Sequence, residues 1–344
     1  MLVIRPIRES DYPALLQMAV ESGVGFTSLP VDEPLLRSKL QHSIASFASD
    51  TRQPGDQTYL MVAEDSATGE VVGTTAIEAA VGLNSPFYTY HLGKVVHASR
   101  SLNVYNTVET LTLTNDYTGV TELCTLFLRE SHRQGNNGRL LSKCRFLMLA
   151  QHAERFADSV IAEMRGVSDE NGRSPFWAWL EEHFFSVDFP TADYLTGVGN
   201  KEFIAELMPK YPIYVSLLSK EAQQVIGEVH EKTRPALRLL ESEGFCKHGY
   251  VDIFDAGPTV ECPRELIHSV RHSALYQVEV AELPQDQGGE ELLLANTKMQ
   301  DFRACVAPVV RLDKQRIQVS AEVANALLLS HGDSLRACAL RFEK

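Results

Sequence analysis

Residues 121–150, TELCTLFLRESHRQGNNGRLLSKCRFLMLA, constrain the fold of this chain more than any other stretch. Residues 122–128 form a short apolar run rich in Leu and Phe, as a buried strand requires. Residues 139–150 place Leu140, Leu141, Cys144, Leu147 and Met148 on one helical face. Between them lies Arg133-Gln134-Gly135-Asn136-Asn137-Gly138. Glycine, and less readily asparagine, adopts the positive φ values that turn successive backbone N–H groups toward one point. At the positive end of a helix dipole, such donors cradle a phosphate or pyrophosphate. Taken alone, the turn reads equally well as an ordinary helix-entry loop.

With 344 residues, the chain has material for about two domains and a large core. The formal charge of −13 speaks against a nucleic-acid partner, which demands clustered Lys and Arg. An acidic surface suits a cationic substrate, although solubility alone accounts for it. The six cysteines, Cys124, Cys144, Cys246, Cys262, Cys305 and Cys338, form no C-x-x-C pair, and no signal peptide is evident. They read as reduced thiols of a cytoplasmic protein. No apolar run is long enough to span a membrane.

Along the chain, residues 2–7 read as a strand, with Ser10 or Asp11 capping the helix that follows. The loop 23–30 is either an acceptor-pocket wall or plain turn chemistry, and a helix is expected over about 33–47. Residues 58–64 and 70–78 form a hairpin. Residues 81–116 are polar and aromatic, with strand-like pieces at 88–92 and 108–113; they suit a pocket wall or a solvated hairpin. A strand at 160–164 precedes a helix begun by Ser174-Pro175 and ending in Phe184-Phe185, before another strand. A similar unit follows: a helix from Arg234-Pro235 to Gly244, then a strand at 250–254. Residues 284–290, PQDQGGE, read as a linker. Beyond it come strands at 302–312 and 316–319, a helix at 321–329, a turn at 331–333 and a last strand. His268 and His272 have metal-ligand spacing but no third ligand pattern, so they read as a solvated helix face.

The strand, R-x-x-G-x-G-like turn and helix resemble the acyl-CoA motif of the GNAT acyltransferase superfamily, with Asn136 in place of the first motif glycine. The segments ELCTLFL, GNNGRLLSKCRF, AEMRGVSDENGRSPFW, FIAELMPKYPIY and YVDIFDAGPTVEC resemble the arginine N-succinyltransferase family. The likeness runs over nearly the whole chain and is weakest toward the C-terminus. It implies an α+β fold: a GNAT-like mixed, mostly antiparallel sheet flanked by helices. The acyltransferase core is expected over residues 1–285 and a small β-rich domain over 286–344.

The implied reaction moves succinyl from the co-substrate succinyl-CoA to the α-amine of L-arginine by direct attack. It requires no metal and no permanently bound cofactor. The implied assembly is a homo- or hetero-oligomer. The resemblance places succinyl-CoA at the backbone of Leu126 and its pyrophosphate at Arg133, Gly135, Asn136, Asn137 and Gly138. It makes His230 the proton donor. Read from the residues alone, His230, just before a helix start, is a surface or capping histidine, although it titrates near neutrality as a proton donor must. Glu122 is a base or a structural carboxylate, and Arg165, Tyr88 and Ser174 are candidates for the succinyl carboxylate. The rivals are an enzyme acting on ornithine, a subunit of a heteromeric arginine/ornithine enzyme, and a non-catalytic acyl-CoA sensor.

Overall fold

A computed structural model describes every residue except 24–27, 171, 198, 200, 201, 284–288 and 342–344. Parts of the expected loop 23–30 and most of the expected linker therefore lie outside the described residues. The first half contains β1 (Leu2–Pro6), α1 (Tyr12–Ser22), α2 (Glu33–Ala48), β2 (Thr58–Asp65), β3 (Val71–Glu78), β4 (Thr89–Ser99), β5 (Val104–Thr114), β6 (Thr121–Leu128) and α3 (Asn137–Gln151). Then come β7 (Ser159–Glu163), α4 (Pro175–Leu180), α5 (Phe189–Gly197), α6 (Glu202–Leu207), β8 (Ile213–Tyr214), α7 (Lys220–Val225), α8 (Arg234–Ser242), β9 (Cys246–Val251), β10 (Pro258–Pro263) and α9 (His268–His272). The chain finishes with β11 (Ala274–Val280), β12 (Glu290–Asn296), β13 (Ala304–Arg311), β14 (Arg316–Val319), α10 (Ala321–Ala326) and β15 (Ser334–Ala339).

The strands join in one mixed sheet, ordered β12-β15-β11-β14-β13-β1-β2-β3-β6-β7-β10-β9-β4-β5-β8 among the described residues. The parallel pairs are β6–β7 and β11–β14; the others are antiparallel. At one end, β12 also pairs with β13, so β11 to β15 close on themselves as a small barrel. Closure leaves no free edge within that unit. Val278, Leu292, Leu294, Val309, Ile317 and Leu335 fill its interior, with Val323 and Leu327 from and beside α10. Although β11 precedes the sequence-expected boundary at 285/286, it pairs with β14 and β15 of the barrel.

The central helix α3 is buried over nearly its whole circumference, from Leu140 to Leu149, rather than on the single face that its sequence suggests. The reason is tertiary. One side rests on β3 and β6; another is covered by Leu293 and Ala295 of β12, and the remainder by Leu237 and Leu240 of α8 together with Val270 of α9. Lys143 and Arg145 are enclosed with it.

Several local expectations shift. Asp11 does precede α1, but its carboxylate caps nothing there; it accepts from Arg5 Nη1 and Nη2 at 2.6 and 2.9 Å. The N-cap of α2 is Asp32, which accepts from Leu35 N at 2.9 Å. Residues 89–114 form one long hairpin whose outer part is exposed, so the solvated reading holds there. After the Ser174-capped helix and its π turn at Glu181–Phe185, two further helices follow instead of a strand. The strand expected at 250–254 is β9, ending at Val251; residues 252–257 are a tight turn.

Candidate active site

The site starts from a defect in β6. Its register with β3 pairs Cys124 with Ala76 and Phe127 with Thr74, so Thr125 and Leu126 stand opposite Thr75 alone. Thr125 takes a φ of +55°, the mark of a bulge that inserts one residue into a strand. Inward and outward alternation therefore slips by one. Leu123, Leu126 and Leu128 meet the α3 side, while Cys124 and Phe127 meet the α1–α2 side. On the other edge, β6 pairs with β7, among the described residues, only at Thr121↔Val160 and Glu122↔Ile161. Beyond Glu122 the two parallel strands part. Leu126 thus sits at a bulge, on a strand edge without ladder partners, at the wide end of a V.

The turn expected to bind a phosphate lies at that wide end. Gly135 has a φ of +55°; Asn136 and Asn137 do not, so one residue of the turn uses the left-handed region. Asn136 is the N-cap of α3 and makes no side-chain cap bond. Asn137 N bonds to Gln134 O at 3.2 Å, and the N–H groups of Gly138 and Arg139 have no partner among the described residues. These are the orphan donors of a helix start. Nothing lies within 4 Å of where a Cβ would stand on Gly135 or Gly138, so a ligand can approach this backbone closely. Arg133 folds back: its Nε donates to Leu128 O at 2.8 Å, which anchors a cation where the strand ends. Asn136 Nδ2 donates to Glu291 at 2.7 Å, and Asn137 Nδ2 to His132 O at 2.9 Å, so the two amides shape the turn.

His230 arrives from a distant segment. Beyond β7 the chain continues through Arg165 and Gly166; Gly166 bridges Val229, and His230 N donates to Arg165 O at 2.9 Å. The histidine is thereby tied to the continuation of the strand that diverges from β6. Its Nδ1 accepts from Lys232 N at 3.1 Å, capping the short turn at Glu231–Thr233. In the neutral ring that bond leaves the hydrogen on Nε2, which has no partner among the described residues. Partial burial, with Arg165 and Lys232 nearby, holds the ring below its ordinary pKa.

Three likenesses to known proteins bear on what this arrangement belongs to. The family model described as arginine N-succinyltransferase beta subunit matches residues 2–269, and that of its C-terminal domain matches residues 275–339. Proteins named arginine N-succinyltransferase from Escherichia coli and Salmonella schwarzengrund are 49% and 50% identical over all of this chain and 99% of their own length. The chain belongs to this family. The structure of arginine/ornithine succinyltransferase subunit AI from Pseudomonas aeruginosa is also similar, with 38% identity, a TM-score of 0.91 and 99% of both chains covered.

Within this family member, the remaining candidates divide. Glu122 on β6 pairs directly with Glu78 on β3, whose carboxyl pKa is raised by burial although Thr58 Oγ1 donates to it at 2.5 Å. A cavity of about 400 Å³ follows the β7 extension, lined by Val167, Ser168, Asp169, Arg173, Ser174, Pro175 and Ala178. Ser174 is thus at the cavity but spends its Oγ on Trp177 N at 3.4 Å. Arg165 reaches the cavity through Ser168 Oγ at 3.0 Å, whereas Tyr88 does not line it. The two cysteines of the central strand and helix are poorly fitted to nucleophilic work: burial pushes the Cys144 thiol up to about 12 and raises Cys124 well above its usual range. Sequence reasoning missed the bulge at Thr125 and the carboxylate of Asp255, which accepts from Gly166 N at 2.7 Å. The run Asp252-Ile-Phe-Asp-Ala-Gly257 has the composition of a turn, but nothing in it names its distant partner.

Proposed function

We propose that the protein is a succinyl-CoA:L-arginine N-succinyltransferase, acting in the cytoplasm without metal or permanently bound cofactor. Family membership over the full length is the observation that carries the reading, and the site has the parts the chemistry needs. The fold reads as GNAT-like, a mixed and mostly antiparallel sheet flanked by helices. We divide it into a core and a C-terminal barrel, drawing the division between α9 and β11 because β11 bonds to the barrel.

The pantetheine arm of succinyl-CoA enters between β6 and β7, where the edge of β6 near Leu126 offers backbone groups. The pyrophosphate meets the N–H groups at Gly138 and Arg139, with Arg133, Gly135, Asn136 and Asn137 shaping that end. The polar end of a substrate fits the cavity beside Ser168 and Arg173. The neutral α-amine of arginine attacks the thioester carbon, and the C–S bond breaks as the tetrahedral adduct collapses. The ammonium proton leaves to solvent; the thiolate takes a proton from Nε2 of the His230 imidazolium, formed when Nδ1 lets go of Lys232 N and takes up a proton, and solvent restores the imidazolium. The depressed ring pKa makes that imidazolium the stronger acid.

The name of the Pseudomonas neighbour, an arginine/ornithine enzyme subunit, favours a second reading in which this chain assembles with another subunit or accepts ornithine as well. Thiol release from succinyl-CoA by the purified chain, with arginine, with ornithine, and with acetyl-CoA as donor, tests all of these. Rapid release with arginine and succinyl-CoA supports the main reading. No release with any acceptor rejects an enzyme active by itself, and equal turnover of acetyl-CoA rejects the succinyl specificity.

A further inference from the structure

The turn between β9 and β10 is tied to two segments far away in sequence. Asp252 N bonds to Gly257 O at 2.8 Å, and Asp252 Oδ1 accepts from Phe254 N and Asp255 N at 2.7 and 2.8 Å. Ala256 is forced to a φ of +55°, and its carbonyl accepts from Gly227 N at 2.8 Å. Asp255 Oδ1 accepts from Gly257 N at 2.8 Å, while Oδ2 accepts from Gly166 N at 2.7 Å. The turn therefore holds Gly166, in the extension of β7, and Gly227, at the start of the His230 loop.

Gly166 and Gly257 admit no side chain. A Cβ on Gly166 would stand 2.5 Å from Asp255 O, and one on Gly257 would stand 2.0 Å from Met164 O. Asp255 is 6% exposed; its two oxygens accept from backbone N–H groups, and its side chain also shares a hydrogen bond with that of Asp252. Burying a carboxyl group beside a second one, Asp252, is costly. A neutral side chain would serve a plain turn at lower cost.

We propose that Asp255 is a positioning residue for His230. Its carboxylate fixes Gly166, and the adjoining Arg165 carbonyl is the acceptor that fixes the His230 backbone. The chain of contacts runs Asp255 Oδ2, Gly166 N, the 165–166 peptide, then His230 N. It sets how far the imidazole stands from the mouth between β6 and β7. Burial and the adjacent Asp252 raise the Asp255 carboxyl, in keeping with a group held for geometry at an energetic cost. The proposal rests on the reading of His230 as proton donor.

The test compares steady-state kinetics of Asp255→Asn, His230→Ala and the double variant. An amide at 255 turns one acceptor into a donor, so the clamp on Gly166 loosens. The expected result is a fall in kcat of about 10-fold to 10²-fold, with KM for succinyl-CoA within about twofold, because the cradle at residues 133–138 is untouched. In the His230→Ala background the same substitution should cost nothing further. Asp252→Asn, which keeps an Oδ1 acceptor for Phe254 N and Asp255 N, should retain kcat. If Asp255→Asn does not fold, Asp255→Ser, with a single acceptor, should show the same pattern. Unchanged kcat in Asp255→Asn, or an undiminished loss in the His230→Ala background, overturns the proposal. If His230→Ala itself keeps full kcat, the proton-donor reading has failed, and that single variant identifies it as the failing step.

Discussion

Replacing Lys143 by Met should destabilise the protein by about 3–5 kcal/mol, the cost of stranding a buried charge. Lys143 is 3% exposed, and its Nζ lies 2.8 Å from Glu243 Oε1 and 2.9 Å from Leu340 O. Glu243, 0% exposed, also accepts from Ser269 N at 2.7 Å and from Ser269 Oγ at 3.0 Å. The ammonium thus links α3, the end of α8, the start of α9 and the chain beyond β15. Methionine fills the same channel and leaves the carboxylate with Ser269 as its remaining support. It also takes a donor from the Leu340 carbonyl, worth about 1–3 kcal/mol when buried. Adding Glu243→Gln removes the stranded charge while keeping an acceptor for Ser269 N, so the double variant should regain about 1–3 kcal/mol over Lys143→Met. Urea unfolding followed by tryptophan fluorescence and far-UV circular dichroism gives both numbers. A Lys143→Met variant within about 0.5 kcal/mol of the parent, the range of ordinary surface substitutions, refutes the reasoning. So does a double variant weaker than the single one.

Two further outcomes follow from the site and a third from a buried ring at the end of α3. Gly138→Val should raise KM for succinyl-CoA by about 10-fold or more without loss of stability, because its Cβ meets no protein atom but stands where a ligand approaches the backbone; steady-state kinetics beside a thermal melt separate the two effects, and an unchanged KM places the cofactor elsewhere. His230→Ala should lower kcat by about 10²-fold and remove an ionisation below pH 6.5 from the kcat profile, since the ring pKa lies below that value; a variant with the parent's kcat and profile makes the histidine structural. Burial holds His152 at about 4 against an ordinary 6.5, so the fold favours the neutral ring. Its contribution is complete above pH 6.5, is lost as pH falls toward 4, and amounts to about 3 kcal/mol in all. The difference in unfolding free energy between parent and His152→Gln should change by that amount between pH 7 and 4, and a pH-independent difference disproves the assignment.

The sequence by itself determined the local units. The apolar run of β6, the glycines at 135 and 138 and the periodicity of α3 specify strand, turn and helix through short-range sterics and burial, without reference to the rest of the chain. Likewise Ser174-Pro175 starts α4 and Gly244, at a φ of +102°, ends the helical segment before β9, because caps and left-handed residues act within a few positions. Tertiary structure decided what those units do together. The bulge at Thr125 depends on how β6 registers against β3, and the parting from β7 on where that parallel pairing stops; neither is encoded in one strand alone. The helix face expected for α3 was too narrow because β12 and α8, far away in sequence, cover its other sides and enclose Lys143. Read from its own neighbours, His230 is a lone capping residue, and it does cap a turn; the resemblance names it a proton donor, and only the tertiary structure shows its backbone bond to Arg165, in a segment 65 positions away that Asp255 holds from yet another direction. Hydrogen bonds between backbone groups leave no trace in residue identity, so such a site becomes legible only once the chain has closed on itself.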